Sequence, residues 1–365
     1  MSFQLLMDAP ALAANVQYVG IKKAHLPFYK IVLLGIIAGA YVVAGAQGLV
    51  AFTAGYPLPQ VTPPPTVYGG GFIFGAALVM ILVCGAELFT GNCLMIVAFM
   101  SKRIFLWEML YDWTVVWISN FLGAIIFSAI MLGTGLNVAH TGGYEFVNGT
   151  ATKVEGHGYS LVGVRLCEIV NYKAGLHFDE MFFRGIFANF CVCVAVLIAY
   201  ASRSPSGKII GAIIPIMLFV VNGYEHSVAN MALFAYSTML DCPATKDINR
   251  AANGSFAHER YWANLFFSTI GNILGAAVLA VTYFIVYLHG TSYELDHVPV
   301  GPDGHSLTAE EYEAASKAAA SGEAAVAVDS SSPPAEQKST AVGVDPSARD
   351  HQPVAPSARS SESTT

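Results

Sequence analysis

One polar stretch interrupts an apolar run in a way few folds tolerate. Gly223-Tyr224-Glu225-His226-Ser227-Val228-Ala229-Asn230 lies inside a hydrophobic stretch from about Ile209 to Leu240. That run is long enough to cross a bilayer. Ionisable groups are costly in hydrocarbon and usually face a pathway or a polar partner. The same spacing occurs 138 residues earlier, in Gly85-Ala86-Glu87-Leu88-Phe89-Thr90-Gly91-Asn92. Both stretches read Gly-x-Glu-x-x-x-x-Asn. Matched interruptions of two spanning segments predict broken helices that meet at the membrane midplane, an arrangement suited to transport.

Composition agrees. Of 365 residues, 55% are hydrophobic and 12% charged, and the mean hydropathy is positive. This is the profile of an integral membrane protein. The formal charge of −7 is unevenly placed: from Thr291 onward there are 12 acidic and 4 basic residues, a net −8. Residues 1–290 carry a net +1, so the acidity says nothing about what the apolar part handles. No cleavable signal peptide is expected, because Asp8 and Pro10 interrupt the first apolar residues. The first spanning segment then serves as the insertion signal.

The expected fold is all-α, with six transmembrane helices, two of them broken. Residues 1–27 read as a cytoplasmic arm and 28–290 as the transmembrane domain. Residues 291–365, rich in Ser, Ala, Pro and Glu, read as a disordered acidic cytoplasmic tail, with one short helix near Thr308–Ala320. Spans are expected at about 28–54, 68–100 (broken), 106–136, 176–201, 209–240 (broken) and 261–288, with a long polar loop over 137–172. Lys22, Lys23, Lys30, Lys102, Arg103, Arg203 and Lys208 flank one face, which the positive-inside rule makes cytoplasmic. Both termini fall on that side. The sequons at Asn148 and Asn253 fall on the other. Asn120-Phe-Leu-Gly-Ala124 also matches Asn272-Ile-Leu-Gly-Ala276. The halves, about 28–136 and 174–288, therefore form a repeat, and three crossings per half make it an inverted one.

Glu87 and Glu225 sit beside the backbone N–H groups that unwinding frees, and are expected to satisfy them. Asn92 and Asn230 are expected to bind freed carbonyls, so these four residues are scaffold. Asn189 and Asn272 are expected to reach the pore as orienting groups. His226 is the only histidine expected within the membrane, and imidazole ionises near neutrality, which suits a proton relay. The plainer reading is a structural histidine bonded to Thr90 or Asn189. Cys84, Cys93, Cys191 and Cys193 fall in apolar helices and are expected to be reduced packing residues. Cys167 and Cys242 fall in two outer loops, where a disulfide can form.

The chain resembles the formate–nitrite transporter family, which includes protozoan lactate/proton exporters. The resemblance rests on Gly85–Asn92, Gly223–Met231 and Gly271-Asn-Ile-Leu-Gly275, supported by Ala188–Val194 and Lys173. The acidic tail and the Gly91-Asn92 ending resemble the eukaryotic branch. The resemblance implies a homopentamer of aquaporin-like protomers, each with its own pore, in the plasma membrane. It implies that Thr90 approaches His226, there to hold the histidine tautomer or to bond a carboxylate oxygen. It further implies apolar constrictions formed by Phe74, Leu78, Leu88 and Phe89 with Val192 and Phe219, and vestibule lysines at Lys30 and Lys173 that attract anions.

The function expected is carriage of small monocarboxylates (lactate, formate, acetate or pyruvate) together with a proton. A neutral acid avoids most of the desolvation cost that a bare anion meets in an apolar passage. The alternative is a formate/nitrite channel passing the charged species. An enzyme is not expected: the chain has neither a His-Glu-x-x-His metal motif nor a phosphate-binding Gly-x-x-x-x-Gly-Lys-Ser/Thr loop. No cofactor, metal or nucleic acid is implied; the partners are acids, protons, membrane lipid and further copies of the chain.

Overall fold

A computed structural model describes residues 6–56, 64–147, 150–243 and 257–291. The expectations for the tail beyond Thr291, for the helix near Thr308 and for both sequons lie outside these residues. The described helices belong to one unit, Met1–Ala314. In chain order they are α1 (Ala9–Ala24), α2 (Phe28–Thr53), α3 (Pro64–Cys84) and α4 (Phe89–Asn92), the last passing through a 3-10 turn into α5 (Ile96–Met100). Then come α6 (Leu106–Gly133), strands β1 (Val138–Ala139), β2 (Tyr144–Val147), β3 (Thr150–Lys153) and β4 (Gly158–Tyr159), α7 (Leu161–Gly175) and α8 (Phe178–Ala201). The last are α9 (Pro205–Val221), α10 (Ser227–Met239) and α11 (Ala257–Tyr283), which ends in a π turn, Phe284–Leu288.

Among the described residues five helices are long and apolar enough to cross a membrane: 28–53, 65–84, 106–133, 178–201 and 259–288. The run expected over 209–240 with a break is two short helices, α9 and α10, separated at Asn222–His226. The run expected over 68–100 is likewise divided, at Gly85–Leu88. Each break contains a glycine in the left-handed region, Gly85 at φ +79° and Gly223 at φ +61°. There a Cβ would clash with the adjoining carbonyl, so glycine is the residue that ends these helices cheaply.

Glycine also sets how closely the long helices approach. A Cβ on Gly123 would stand 2.2 Å from the Ile36 carbonyl oxygen, and one on Gly39 2.4 Å from that of Asn120, so α2 and α6 pack backbone to backbone. Gly271 and Gly275 do the same for α11 against α8, with the carbonyl oxygens of Phe182 and Ile186 at 2.3 and 2.1 Å. Small residues at helix crossings are how apolar helices associate in lipid, where burial supplies no driving force between them. Large apolar side chains point outward instead: Phe28, Leu33, Ile118, Ile130, Phe187, Ile214 and Phe266 are all exposed.

Two expectations need correction. The arm read over 1–27 carries a helix that reading did not place: the Asp8 side chain accepts a hydrogen bond from the Ala11 N–H, Pro10 occupies the first turn, and α1, with Leu12, Val16 and Ile21 buried, packs against α5, Gly20 standing against Ala98. Asp followed by Pro is a helix start signal. The loop over 137–172 is not irregular either, and the described residues are not all-α. It holds a small antiparallel sheet in the order β1-β4-β2-β3, then α7, capped by Ser160 through the Gly163 N–H. Alternating Tyr144, Phe146 and Tyr159 carry the sheet, with Phe146 and Tyr159 in edge contact. Cys167 and Cys242 are disulfide-bonded, their Cα atoms 5.3 Å apart. The Tyr159 hydroxyl adds a hydrogen bond of 2.7 Å to the Asp241 carbonyl. Cys93, Cys191 and Cys193 are buried free thiols, whereas Cys84 is exposed.

Candidate translocation site

The two breaks are built alike, from one asparagine each. Asn120 of α6 accepts from the Phe89 N–H at 3.0 Å and donates to the carbonyls of Glu87 (2.8 Å) and Gly35 (2.9 Å). Asn272 of α11 accepts from the Ser227 N–H at 2.9 Å and donates to the carbonyls of Glu225 (2.9 Å) and Gly185 (2.8 Å). Each side chain thus replaces the helix partners that the break removes.

The glutamates are held by cations rather than by freed N–H groups. The Lys23 ammonium pairs with Glu87, and Lys173 with Glu225 at 2.8 Å. Asn92 donates to Glu87 and Asn230 to Glu225, each at 2.8 Å. The asparagines therefore meet carboxylates where carbonyls were expected. Glu225 is fully buried and Glu87 is 7% exposed, so each carboxylate depends on its lysine. Lys30, expected at a vestibule, is exposed on α2 and has no ion pair among the described residues. The residue that parallels Lys173 is Lys23. A repeat shows it: Lys23-Ala-x-Leu-x-Phe28 recurs as Lys173-Ala-x-Leu-x-Phe178. Asp112 and Asn264, each eight residues before the repeat-matched asparagines Asn120 and Asn272, join the same clusters and were not anticipated.

At the centre, His226 Nε2 lies 2.9 Å from Thr90 Oγ1. Nδ1 of the same ring accepts from the Ala229 N–H at 3.0 Å, so His226 caps α10. A nitrogen that accepts carries no proton, which puts the ring proton on Nε2, directed at Thr90. Asn189 donates to the carbonyls of Thr90 (3.1 Å) and Asn272 (2.8 Å), so its amide braces the centre.

A cavity of about 20 Å³ adjoins the imidazole, lined by Phe74, Leu78, Leu88, Val192 and Phe219 among other apolar residues. The Phe219 ring stands 5.8 Å from both Phe74 and His226, centroid to centroid. His226 is the one polar side chain among the cavity's lining residues. Thr90, Phe89 and the side chains of Asn189 and Asn272 are not among them; Thr90 reaches the cavity only through His226, and Phe89 packs edge-on against Trp113, 6.3 Å away.

Beyond Phe74 and Phe219 a larger cavity, about 110 Å³, opens toward α7. Lys173 and Arg165 bring positive charge to it, and Tyr172 and Tyr224 also line it. Arg165, only 4% exposed, donates to Thr53 Oγ1 at 3.1 Å and lies 3.4 Å from Glu168. Burial lowers its guanidinium below the ordinary value, yet arginine stays charged through any physiological shift. Its place in α7 could not be read while that segment was taken for a loop. Arg184 pairs with Glu180, one helical turn earlier, at 3.4 Å, and also donates to the Tyr172 hydroxyl at 2.9 Å.

The chain is similar along most of its length to known proteins. It is 29% identical to the "Formate channel FocA" of Escherichia coli K12 over 303 residues, covering 81% of this chain and 98% of that one. It is 31% identical to the "Probable formate transporter" of Methanothermobacter thermautotrophicus, covering 73% and 92% respectively. Among solved structures, a "Pentameric formate channel with formate bound" aligns with a TM-score of 0.54 at 28% identity, over 72% of this chain and 98% of that one. An "FNT family ion channel" aligns with a TM-score of 0.59 at 23% identity, over 76% and 97%. The profile of the Formate/nitrite transporter family matches residues 10–287. The chain is thus a member of the formate/nitrite transporter family, a membrane transporter in which two helix breaks meet at one histidine beside a small apolar cavity.

Proposed function

We propose that the protein carries small monocarboxylic acids, formate and lactate among them, across the membrane together with a proton. One observation carries this: every residue lining the inner cavity except His226 is apolar. A carboxylate entering there would lose its hydration without gaining a countercharge, whereas the neutral acid loses far less. Formate as a substrate is supported by the similarity to formate channels, and lactate by the eukaryotic character of Gly91-Asn92 and the acidic tail. The formate/nitrite anion channel remains the reading to defeat.

In this proposal Arg165 draws the anion into the outer cavity, while Lys173 and Lys23, each neutralised by its glutamate, offer ammonium N–H donors at the two mouths rather than net charge. Protonation happens before the rings. Phe74, Leu78, Leu88, Val192 and Phe219 exclude water and ions. The Nε2–H of His226 holds Thr90 Oγ1, leaving the Thr90 hydroxyl proton free to bond the acid's carbonyl oxygen. Relay by imidazolium would require the Nδ1 bond to the Ala229 N–H to open first. The inverted repeat of six crossings is supported by the matching partners of Asn120 and Asn272. The outward placement of α7 is supported by the Cys167–Cys242 bridge, since disulfides persist on oxidising faces. That leaves the termini and Lys23 cytoplasmic, in the plasma membrane. A homopentamer is supported by the pentameric relative.

The test is uptake of labelled formate and lactate into proteoliposomes under an imposed pH gradient, with membrane potential recorded. Gradient-driven, electrically silent uptake is expected. Uptake that carries a saturable current would establish the anion channel instead, and absence of flux for both acids would defeat the assignment.

A further inference from the structure

The two carboxylate clusters differ in one residue. On the Lys173 side, Asn264 Nδ2 donates to Glu225 Oε2 at 2.9 Å and to the Lys173 carbonyl at 3.2 Å, while its Oδ1 accepts from Asn230 at 2.6 Å. On the Lys23 side the equivalent position is Asp112, whose Oδ2 accepts from Asn92 at 2.8 Å. Asp112 is 1% exposed, and its Oδ1 has no hydrogen-bond donor among the described residues. That oxygen corresponds to the nitrogen that donates twice in Asn264.

Charge counting agrees with the geometry. Lys173 and Glu225 cancel, and Asn264 adds nothing. Lys23 must answer both Glu87 and Asp112, which leaves one buried negative charge uncompensated if both carboxyls ionise. The groups facing Asp112 are Lys23 from α1, Glu87 and Asn92 from the break, and the buried Cys93 thiol. Tyr200 of α8 faces Lys23 and Glu87 in turn. None of these adds a second cation. Like charges sharing a site cannot both ionise without a large penalty, and the usual outcome is one retained proton.

We propose that Asp112 is a proton-binding site: its Oδ1 holds a proton in the resting protein, shared with the Glu87 carboxylate, on one half of the molecule only. The protonated carboxyl then does what Asn264 does opposite, donating where an ionised one cannot. Release converts the carboxyl to a carboxylate and passes the proton to water. Two anions then compete for Lys23 and for the single Asn92 amide, which loosens the Gly85–Leu88 break. A proton held by the folded state stabilises it at low pH, and that contribution is lost as pH rises through release. Transport therefore falls with alkalinity on the Lys23 side, independently of substrate protonation.

The experiment compares the parent with Asp112→Asn, and with Asn264→Asp as its converse. Infrared difference spectra of the purified protein are expected to show the carbonyl stretch of a protonated carboxyl, lost in Asp112→Asn and doubled in Asn264→Asp. This readout stands whichever acid is carried. The flux arm rests on the transport reading: the ratio of alkaline to acidic flux, with pH varied on the Lys23 side, is expected to rise about threefold or more in Asp112→Asn. A protonated-carboxyl band that survives in folded Asp112→Asn overturns the proposal. So would failure of that variant to fold, since asparagine supplies every hydrogen bond the protonated aspartate is said to make.

Discussion

Thr90 Oγ1 and His226 Nε2 are 2.9 Å apart across 136 residues of sequence, each contributed by the start of a half-helix. Removing the hydroxyl while keeping the shape separates orientation from packing. Thr90→Val leaves the buried Nε2–H without an acceptor, a loss of about 1–3 kcal/mol. Formate flux is expected to fall about five- to 150-fold, in proportion to that energy. Thr90→Ser is expected to retain most of it. Equal flux in both variants would reduce Thr90 to a packing residue.

Lys173 and Glu225 give a test by double substitution. Lys173→Gln strands a fully buried carboxylate, a change that costs about 3–5 kcal/mol when a buried pair is broken. Thermal unfolding in detergent should shift down sharply for Lys173→Gln. The double variant Lys173→Gln with Glu225→Gln should recover most of the lost stability, because two neutral amides carry no uncompensated charge. Additive losses would mean that the pair does not act as a unit.

Arg165 lies in the outer cavity beside Lys173 and remains charged. Arg165→Gln is expected to raise the half-saturating substrate concentration about three- to tenfold with little change in maximal flux, since capture and passage are separate steps. The effect should shrink at high salt, where the attraction is screened. A lowered maximal flux at unchanged half-saturation would place Arg165 in the passage itself.

The Cys167–Cys242 bridge closes a separation of 75 residues. Chain-entropy reasoning assigns about 4 kcal/mol to such a cross-link. Cys167→Ser is expected to lower the unfolding temperature under non-reducing conditions, and to bring it level with the reduced parent. No difference between the reduced and oxidised parent would remove the bridge from the stability of this face.

The breaks, the long helices and the pairing of Asn120 with Asn272 were legible because hydrocarbon leaves so few alternatives: an apolar run must be helix, and a polar interruption must find partners. What failed to read were the amphipathic pieces. α1 and α7 mix charge with apolar residues, so hydropathy passes over them, although Asp8-x-Pro10 and Ser160 announced their starts. Missing α1 hid Lys23 as the partner of Glu87, and missing α7 hid Arg165. Asp112 was lost for another reason. One acidic residue at the end of an apolar helix reads as an interfacial charge until Asn92 is seen beside it.

The contacts of Gly39, Gly123, Gly271 and Gly275 have a kinetic corollary. Helices seated backbone against backbone have no side-chain layer to slide on, so α2 with α6, and α8 with α11, move as solid blocks. In the transport reading proposed above, opening the way past His226 is then left to torsions of Phe74 and Phe219, motions of nanoseconds to microseconds rather than the milliseconds of domain rearrangement. Throughput in such a conduit is governed by how often two rings stand aside together.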